Sequence, residues 1–209
     1  MRFGGLASGI VLLSLPAHGA EIARLDGAAL ADAESRARAA LSSLAEGSPT
    51  VERAQAFTVG AAPGTLQVLP VRYAPRASRA LGNVDQCALI VLSPDRVQVV
   101  RTIGTGYLES LGCTGLDAIG FSDLDGDGRL DIALIHATVV PPDRYLKTPV
   151  VVRTQADGDL AVDERLTQAL DERGGITTIA ALRRVVAARR AGSAARPAAA
   201  PSKPARRTK

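Results

Sequence analysis

The chain has 209 residues, of which 46% are apolar and 22% are charged, and this composition excludes a wholly disordered protein. No stretch of about eighteen uninterrupted apolar residues exists, which excludes a multi-span membrane protein. Aromatic residues make up only 3%, which argues against stacking platforms for sugars or nucleic-acid bases.

The formal net charge of +4 conceals two oppositely charged regions. Residues 183–209 contain nine basic residues and no acidic one. Removing these nine from the total of 25 leaves 16 basic residues against 21 acidic ones in residues 1–182, a net charge of −5. The body of the chain is therefore acidic and its end is basic, so we expect no nucleic-acid surface on the folded domain.

The beginning of the chain predicts an export signal. Met1–Arg2 form a short positive start, Leu6–Leu15 form an apolar run, and Pro16–Ala20 supply a breaker and small residues. This three-part layout is typical of a secretory signal peptide, which we assign to residues 1–19. The mature protein is then expected in the periplasm or outside the cell. A buried N-terminal helix or a membrane anchor is the alternative interpretation.

An alanine-rich stretch follows and predicts one amphipathic helix over Gly27–Glu46. The segment Gly47-Ser48-Pro49 is expected to end this helix. The apolar residues recur at helical spacing, at Leu30, Ala33, Ala37, Leu41 and Leu44.

From Val51 onward the pattern changes to short β-like runs. Turn residues such as Gly126-Asp127-Gly128 and Asp157-Gly158 separate them, and the connections are too short for the crossover helices of a parallel sheet. A largely antiparallel sheet is therefore predicted. Its strands are expected at Ala56–Val59, Thr65–Tyr73, Val84–Leu92, Val97–Ile103, Leu116–Phe121, Asp131–Val140 and Thr148–Gln155.

Two closing helices are predicted at Asp163–Glu172 and Thr178–Arg190. Beyond them, residues 191–209 are dominated by Ala, Pro, Ser, Arg and Lys, which offer nothing to bury. A disordered basic tail is therefore predicted there, making at most a weak contact with an anionic surface. The expected fold class is α+β, with a single domain over residues 20–190.

Cys87 and Cys113 are the two cysteines of the chain. In a reducing compartment they would be buried thiols, whereas export favours a disulfide between them. Such a bond would close the loop of residues 87–113 and stabilise the fold by about 3.5 kcal/mol. Because the N-terminus predicts export, we predict the disulfide.

The most informative segment is residues 121–134, FSDLDGDGRLDIAL. Its four carboxylates stand at alternate or near-alternate positions and repel one another in water. A hard divalent cation reverses that repulsion, because calcium takes six to eight oxygen ligands at flexible geometry. The predicted ligands of a structural Ca²⁺ are the carboxylates of Asp123, Asp125, Asp127 and Asp131 and the main-chain carbonyl of Arg129.

Two kinds of calcium loop share part of this pattern. An EF-hand requires a bidentate Glu at the twelfth position, where this chain has Leu134, and it requires helices on both sides. The pattern Asp-x-Asp-x-Asp-Gly-x-x-Asp followed by an apolar strand resembles the calcium motif of FG-GAP and VCBS-type repeats, the modules of integrin α-chain propellers and of many bacterial exported proteins.

The resemblance implies that the loop joins two antiparallel strands, that its aspartates bind Ca²⁺ and that Arg129 contributes its carbonyl oxygen. This chain carries one copy of the motif instead of several, so a full propeller is not expected. An Asp- and Gly-rich surface turn that binds no ion is the other interpretation of the segment.

His136 is the one histidine beyond the predicted signal peptide. A lone histidine on an apolar strand is most often a core or rim residue, and no Gly-x-Ser-x-Gly nucleophile elbow accompanies it. The leading hypothesis is therefore an exported, calcium-stabilised binding or scaffolding protein whose partner is a protein or another cell-envelope component. The alternative is a calcium-stabilised extracytoplasmic hydrolase that uses Asp117, Glu109 or His136.

Overall fold

A computed structural model describes residues 21–61, 64–76, 84–141 and 143–194. The predicted signal peptide lies outside these residues, as does the predicted tail from residue 195 onward. Among the helices of the described residues, none combines the length and apolar character needed to cross a membrane.

Helices and strands cover most of the described residues. The helices are α1 (Gly27–Leu41), α2 (Glu164–Arg173) and α3 (Ile179–Ala194), and short 3-10 turns cover residues 53–55 and 106–108. The strands are β1 (Ile22–Arg24), β2 (Ala45–Val51), β3 (Phe57–Ala61), β4 (Gly64–Pro75), β5 (Gln86–Leu92), β6 (Val97–Ile103), β7 (Gly112–Ser122), β8 (Asp131–Val140), β9 (Arg144–Thr154) and β10 (Leu160–Val162).

The strands form two sheets in which every described pairing is antiparallel. The first sheet has the order β1-β3-β4-β5-β6, with β2 also paired to β4, and the second has the order β10-β9-β8-β7. The predicted α+β fold with a largely antiparallel sheet is therefore confirmed. Each predicted strand overlaps an observed one. The sequence pattern missed three strands, namely β2 and the three-residue strands β1 and β10.

The two sheets pack face to face, and helices cover both outer faces. The central core joins inner-face residues of both sheets, such as Leu89 of β5 and Ile132 of β8, which are fully buried. Helix α1 packs Ala37 on the outer face of the first sheet, whereas α2 and α3 pack Leu170 and Leu182 on the outer face of the second. The result is a four-layer sandwich with a helix layer on each side.

The first helix ends at Leu41, and not at Glu46 as the spacing predicts. Residues Ala45–Val51 instead form β2, which pairs with β4. Leu44 follows the helical spacing of apolar residues in the sequence, but its side chain is 37% exposed and does not belong to the buried face of α1. Gly47 has a φ of +73°, and the register of β2 shifts around it. The Gly-Ser-Pro segment therefore makes an irregularity inside a strand and does not end a helix.

The last helix is longer than predicted. Helix α3 continues to Ala194, past the domain boundary predicted at residue 190 and into the segment predicted as tail. The first proline after this helix is Pro197, so no proline interrupts these residues, and the helix continues through Gly192.

The predicted disulfide between Cys87 and Cys113 is present. It connects β5 of the first sheet to β7 of the second, and both residues are buried in the central core. The bond therefore links the two sheets across their interface.

His136 lies on β8 beside this disulfide. Its side chain is 1% exposed, and its Nδ1 atom lies 3.9 Å from the Sγ atom of Cys113. Its Nε2 atom has no hydrogen-bond partner among the described residues. Burial lowers the pKa of His136 to about 4, so the imidazole is neutral at pH 7. His136 is therefore a core residue, as a lone histidine on an apolar strand suggests.

Replacing both Cys87 and Cys113 with alanine should lower the free energy of unfolding by about 3.5 kcal/mol, because the unfolded chain regains the freedom of the 87–113 loop. Urea denaturation of the oxidised wild type and of the double variant measures this difference. The reduced wild type should unfold close to the variant, and an unchanged urea midpoint in both would contradict the prediction.

The free energy of unfolding should depend on pH through His136. The unfolded chain protonates this histidine near pH 6.5, whereas the folded chain does so only near pH 4. Stability should therefore fall by about 3 kcal/mol as the pH drops from about 6.5 to about 4. Urea denaturation across this range should give a difference curve between wild type and His136→Leu with a step of that size. A flat difference curve would contradict the prediction.

Candidate metal centre

The acidic loop of residues 123–130 joins two antiparallel strands of the second sheet. Strand β7 ends at Ser122, which pairs with Asp131 at the start of β8. The predicted β-hairpin is therefore present, and the flanking strands exclude an EF-hand, whose loop joins two helices.

Three carboxylates of the loop converge on one point. One oxygen atom from each of Asp123, Asp125 and Asp131 lies within 4.8 Å of the other two. Asp131 is 2% exposed, Asp125 is half-buried and Asp123 is exposed. The first, third and ninth positions of the predicted motif thus form a cluster that is buried at Asp131 and open to solvent at Asp123.

Backbone N–H groups hold the first carboxylate in place. Gly126 and Gly128 both donate to Asp123, the second at 3.0 Å. Their φ angles are +79° and +84°, a region that other residues rarely adopt. The two glycines are therefore required to turn these N–H groups toward the centre of the loop.

Asp131 is the least solvated member of the cluster. Burial raises the pKa of its carboxyl group, the N–H of Leu124 opposes this with a hydrogen bond of 2.9 Å, and the negative charge of Asp125 raises the pKa further. A cation placed between the carboxylates would favour their ionised forms, because it offsets both the burial and the mutual repulsion.

The Asp127 carboxylate is not one of the three that converge, and its contacts are with Arg129. Oδ1 of Asp127 accepts the N–H of Arg129 at 2.8 Å, and the Arg129 guanidinium lies 3.6 Å from its other oxygen. The roles predicted for the Asp127 carboxylate and for the Arg129 carbonyl as ligands remain predictions.

Two arginines that the sequence analysis did not single out lie against the loop. Nη1 of Arg153 lies 3.0 Å from Oδ2 of Asp125, and its Nε lies 3.0 Å from Oδ2 of Asp163, the N-cap residue of α2. The Arg190 guanidinium of α3 lies so close to Gly126 that a Cβ at that position would overlap it. No local pattern identifies either arginine, because strand pairing and helix packing bring them to the loop.

The three residues considered for a hydrolase lie outside the cluster of carboxylates in the acidic loop. His136 is buried, which denies a substrate access to its imidazole. The Asp117 carboxylate forms an ion pair with Lys147, and Glu109 is exposed just after a 3-10 turn.

The three converging atoms of the acidic loop are carboxylate oxygens, which are the ligands that hard cations prefer. Comparison with known proteins found no match to this chain among family models, curated proteins or solved structures.

Replacing Arg153 with glutamine tests its role beside the loop. The metal-free protein should lose about 1 kcal/mol of stability, because Asp125 and Asp163 lose a partly exposed ionic partner. If the loop binds calcium as the sequence predicts, the rise in melting temperature on adding calcium should become larger, because no side-chain cation then competes for Asp125. Thermal unfolding in EGTA and in calcium measures both effects.

The matched control is Arg96→Gln, which removes the ion pair with Asp159. Its response to calcium should equal that of the wild type. If calcium raises the melting temperature of the Arg153→Gln protein by the same amount as that of the wild type, Arg153 does not compete with calcium for Asp125.

Proposed function

We propose that this chain is an exported binding or scaffolding protein of the cell envelope, stabilised by one structural Ca²⁺ in its acidic loop. The observation that supports the proposal best is the convergence of Asp123, Asp125 and Asp131 around a common point. Three negative charges in this position repel one another, and the single positive charge of Arg153 beside Asp125 balances only one of them.

Calcium suits the loop better than other common metals. The cluster offers only carboxylate oxygens, which favours hard cations over the soft and borderline metals that prefer sulfur and nitrogen. Magnesium demands near-octahedral geometry and keeps several of its waters, whereas calcium tolerates irregular, protein-supplied shells. An exported protein would also meet calcium at higher concentrations than a cytosolic one.

The ion would have a structural role because of where the loop is anchored. Leu124, inside the loop, is buried in a core cluster together with Ile135 of β8, Leu170 of α2 and Leu182 of α3. A cation that holds the neighbouring carboxylates together would therefore keep this leucine packed between the second sheet and its helices. All predicted ligands come from the protein, which leaves little room for a substrate.

Two observations outside the acidic loop support export and a binding role. The Cys87–Cys113 disulfide supports export, because such bonds persist in oxidising compartments. A binding role is favoured over hydrolysis because His136, the one histidine of the predicted mature chain, is buried and neutral.

Adding calcium should raise the melting temperature, and EGTA should lower it. At a free calcium concentration ten times the dissociation constant, binding to the folded form adds about 1.4 kcal/mol. Asp125→Asn and Asp131→Asn should remove most of this gain, because each substitution deletes a charge and keeps a hydrogen-bond acceptor. Thermal unfolding and titration calorimetry measure the effect.

Asp157→Asn is the matched control for these variants. Asp157 lies in another hairpin loop, where its Oδ1 atom accepts the N–H of Asp159 at 3.0 Å, outside the carboxylate cluster. This variant should respond to calcium as the wild type does. If the wild type shows neither a shift in melting temperature nor heat of binding, the calcium proposal is wrong.

A further inference from the structure

Three side chains with metal-binding atoms meet at the interface between the two sheets. One ligand atom each from Cys87, Cys113 and His136 lies within 4.8 Å of the other two, and all three residues are buried. The disulfide itself places the two sulfur atoms together, so the independent observation is the position of the histidine. Its Nδ1 atom lies 3.9 Å from Sγ of Cys113. The core therefore holds two sulfur ligands and one nitrogen ligand side by side.

The distances between these side chains suit a zinc ion once the S–S bond is opened. A tetrahedral ion with Zn–S bonds of about 2.3 Å holds a sulfur and a nitrogen ligand about 3.6 Å apart and two sulfur ligands about 3.8 Å apart. The 3.9 Å between Cys113 and His136 is close to the first value. The Cα atoms of Cys87 and Cys113 are 5.7 Å apart, so rotation of both side chains opens the second distance while the strands stay in place.

The backbone of Gly115 supplies an oxygen atom at the same place. Its carbonyl oxygen lies 3.6 Å from Sγ of Cys113. Burial lowers the pKa of His136, and a hydrogen bond to the backbone of Gly115 opposes this effect. The register of β7 against β8 shifts between Cys113 and Gly115, an irregularity of the kind that re-aims groups at a site. Since structural zinc is almost always four-coordinate, the Gly115 oxygen completes the ligand set.

Charge balance favours zinc over other metals at this position. Two thiolates carry two negative charges, and a net charge is costly to bury. Zn²⁺ neutralises both thiolates, whereas Cu⁺ would leave one negative charge in the core. Calcium and magnesium prefer oxygen ligands to sulfur. The neutral imidazole of His136 keeps the lone pair that a metal ion binds.

We propose that the reduced form of this chain binds one Zn²⁺ ion through the thiolates of Cys87 and Cys113, a ring nitrogen of His136 and the carbonyl oxygen of Gly115. A dithiol reductant supplies two electrons and two protons, which convert the S–S bond into two thiols, and becomes a disulfide itself. Zn²⁺ then replaces both thiol protons, which are released to solvent. The ion takes over the link between the two sheets that the disulfide makes in the oxidised chain.

Burial of the ligands determines when the ion binds. Because the folded core gives no route to solvent-borne metal, Zn²⁺ enters while the reduced chain folds, and binding is coupled to folding. The site is also separate from the acidic loop, since Cys113 lies near the start of β7 and the loop follows the end of that strand. The inference therefore rests neither on the calcium ion nor on the proposed binding role.

The test uses Co²⁺, which occupies zinc sites and gives a charge-transfer absorption when thiolates bind it. The chain is reduced by a phosphine in urea and refolded without oxygen in the presence of Co²⁺. The absorption should develop with one Co²⁺ per chain, and added Zn²⁺ should remove it. Oxidised protein treated in the same way without the phosphine is the blank, because it keeps the acidic loop but has no thiolates. A reduced protein with no absorption above this blank would overturn the inference.

Two variants on β8 test the role of the histidine. His136→Leu lacks the nitrogen ligand and should bind Co²⁺ at least tenfold more weakly than the wild type. Thr138→Val is the matched control, because it removes another buried polar group two residues along the same strand. This control should bind Co²⁺ like the wild type. Equal affinity of His136→Leu and the wild type would overturn the inference.

Nitrogen NMR of the histidine ring acts on the unmodified chain, so it tests the ligand set even if His136→Leu fails to fold. Refolding the reduced wild type with Zn²⁺ should shift the signal of one ring nitrogen of His136, and an unchanged ring would overturn the inference. Comparison with the calcium experiment separates the two proposals. If calcium stabilises the oxidised protein but the reduced protein binds no Co²⁺ through thiolates, the zinc inference alone fails. In the opposite case only the calcium site fails.

Discussion

Burial of both faces of two central strands determines the architecture of this protein. In β5, residues 87–92 are all buried, and in β8 residues 131–136 are all buried. Each strand therefore needs apolar partners on both sides, which the facing sheet supplies on one side and a helix layer on the other. The order of helix, sheet, sheet and helix follows from this requirement, and the disulfide between Cys87 and Cys113 links the two sheets at the central interface.

The acidic loop acquires its properties from the same packing. Asp131 is the first residue of the buried strand β8, so its carboxylate is removed from water while Asp123 and Asp125 stay nearer the surface. Arg153 approaches the loop from β9 and also pairs with Asp163 at the start of α2. Backbone N–H groups and the Arg153 guanidinium therefore offset part of the repulsion between the carboxylates. A divalent cation would offset the remainder.

The edges of the sandwich raise a different physical problem. Backbone groups on an edge strand need partners, and exposed edges invite other chains to pair with them. In this protein the two edges lie next to each other, and Gln98 satisfies Leu160 by linking them at one point. Farther along, residues of β6 and β10 line a cavity of about 310 Å³ together with Leu108 and the first turn of α2.

Local patterns in the sequence were enough to identify many of these features. The apolar runs predicted seven of the strands, and the presence of only two cysteines left one intramolecular pairing. The resemblance of residues 123–131 to the FG-GAP and VCBS-type motif implied that the acidic loop joins two antiparallel strands. Features that depend on distant segments were not predictable in this way. The Gly-Ser-Pro segment became part of β2 because β4 offered a pairing partner, and Arg153 and Arg190 reached the loop through sheet register and helix packing. The cavity lined by β6 and β10 likewise exists only because two separate sheets place their edges side by side. Short-range spacing and chain chemistry thus determined the local elements, whereas contacts between remote residues decided which of them meet.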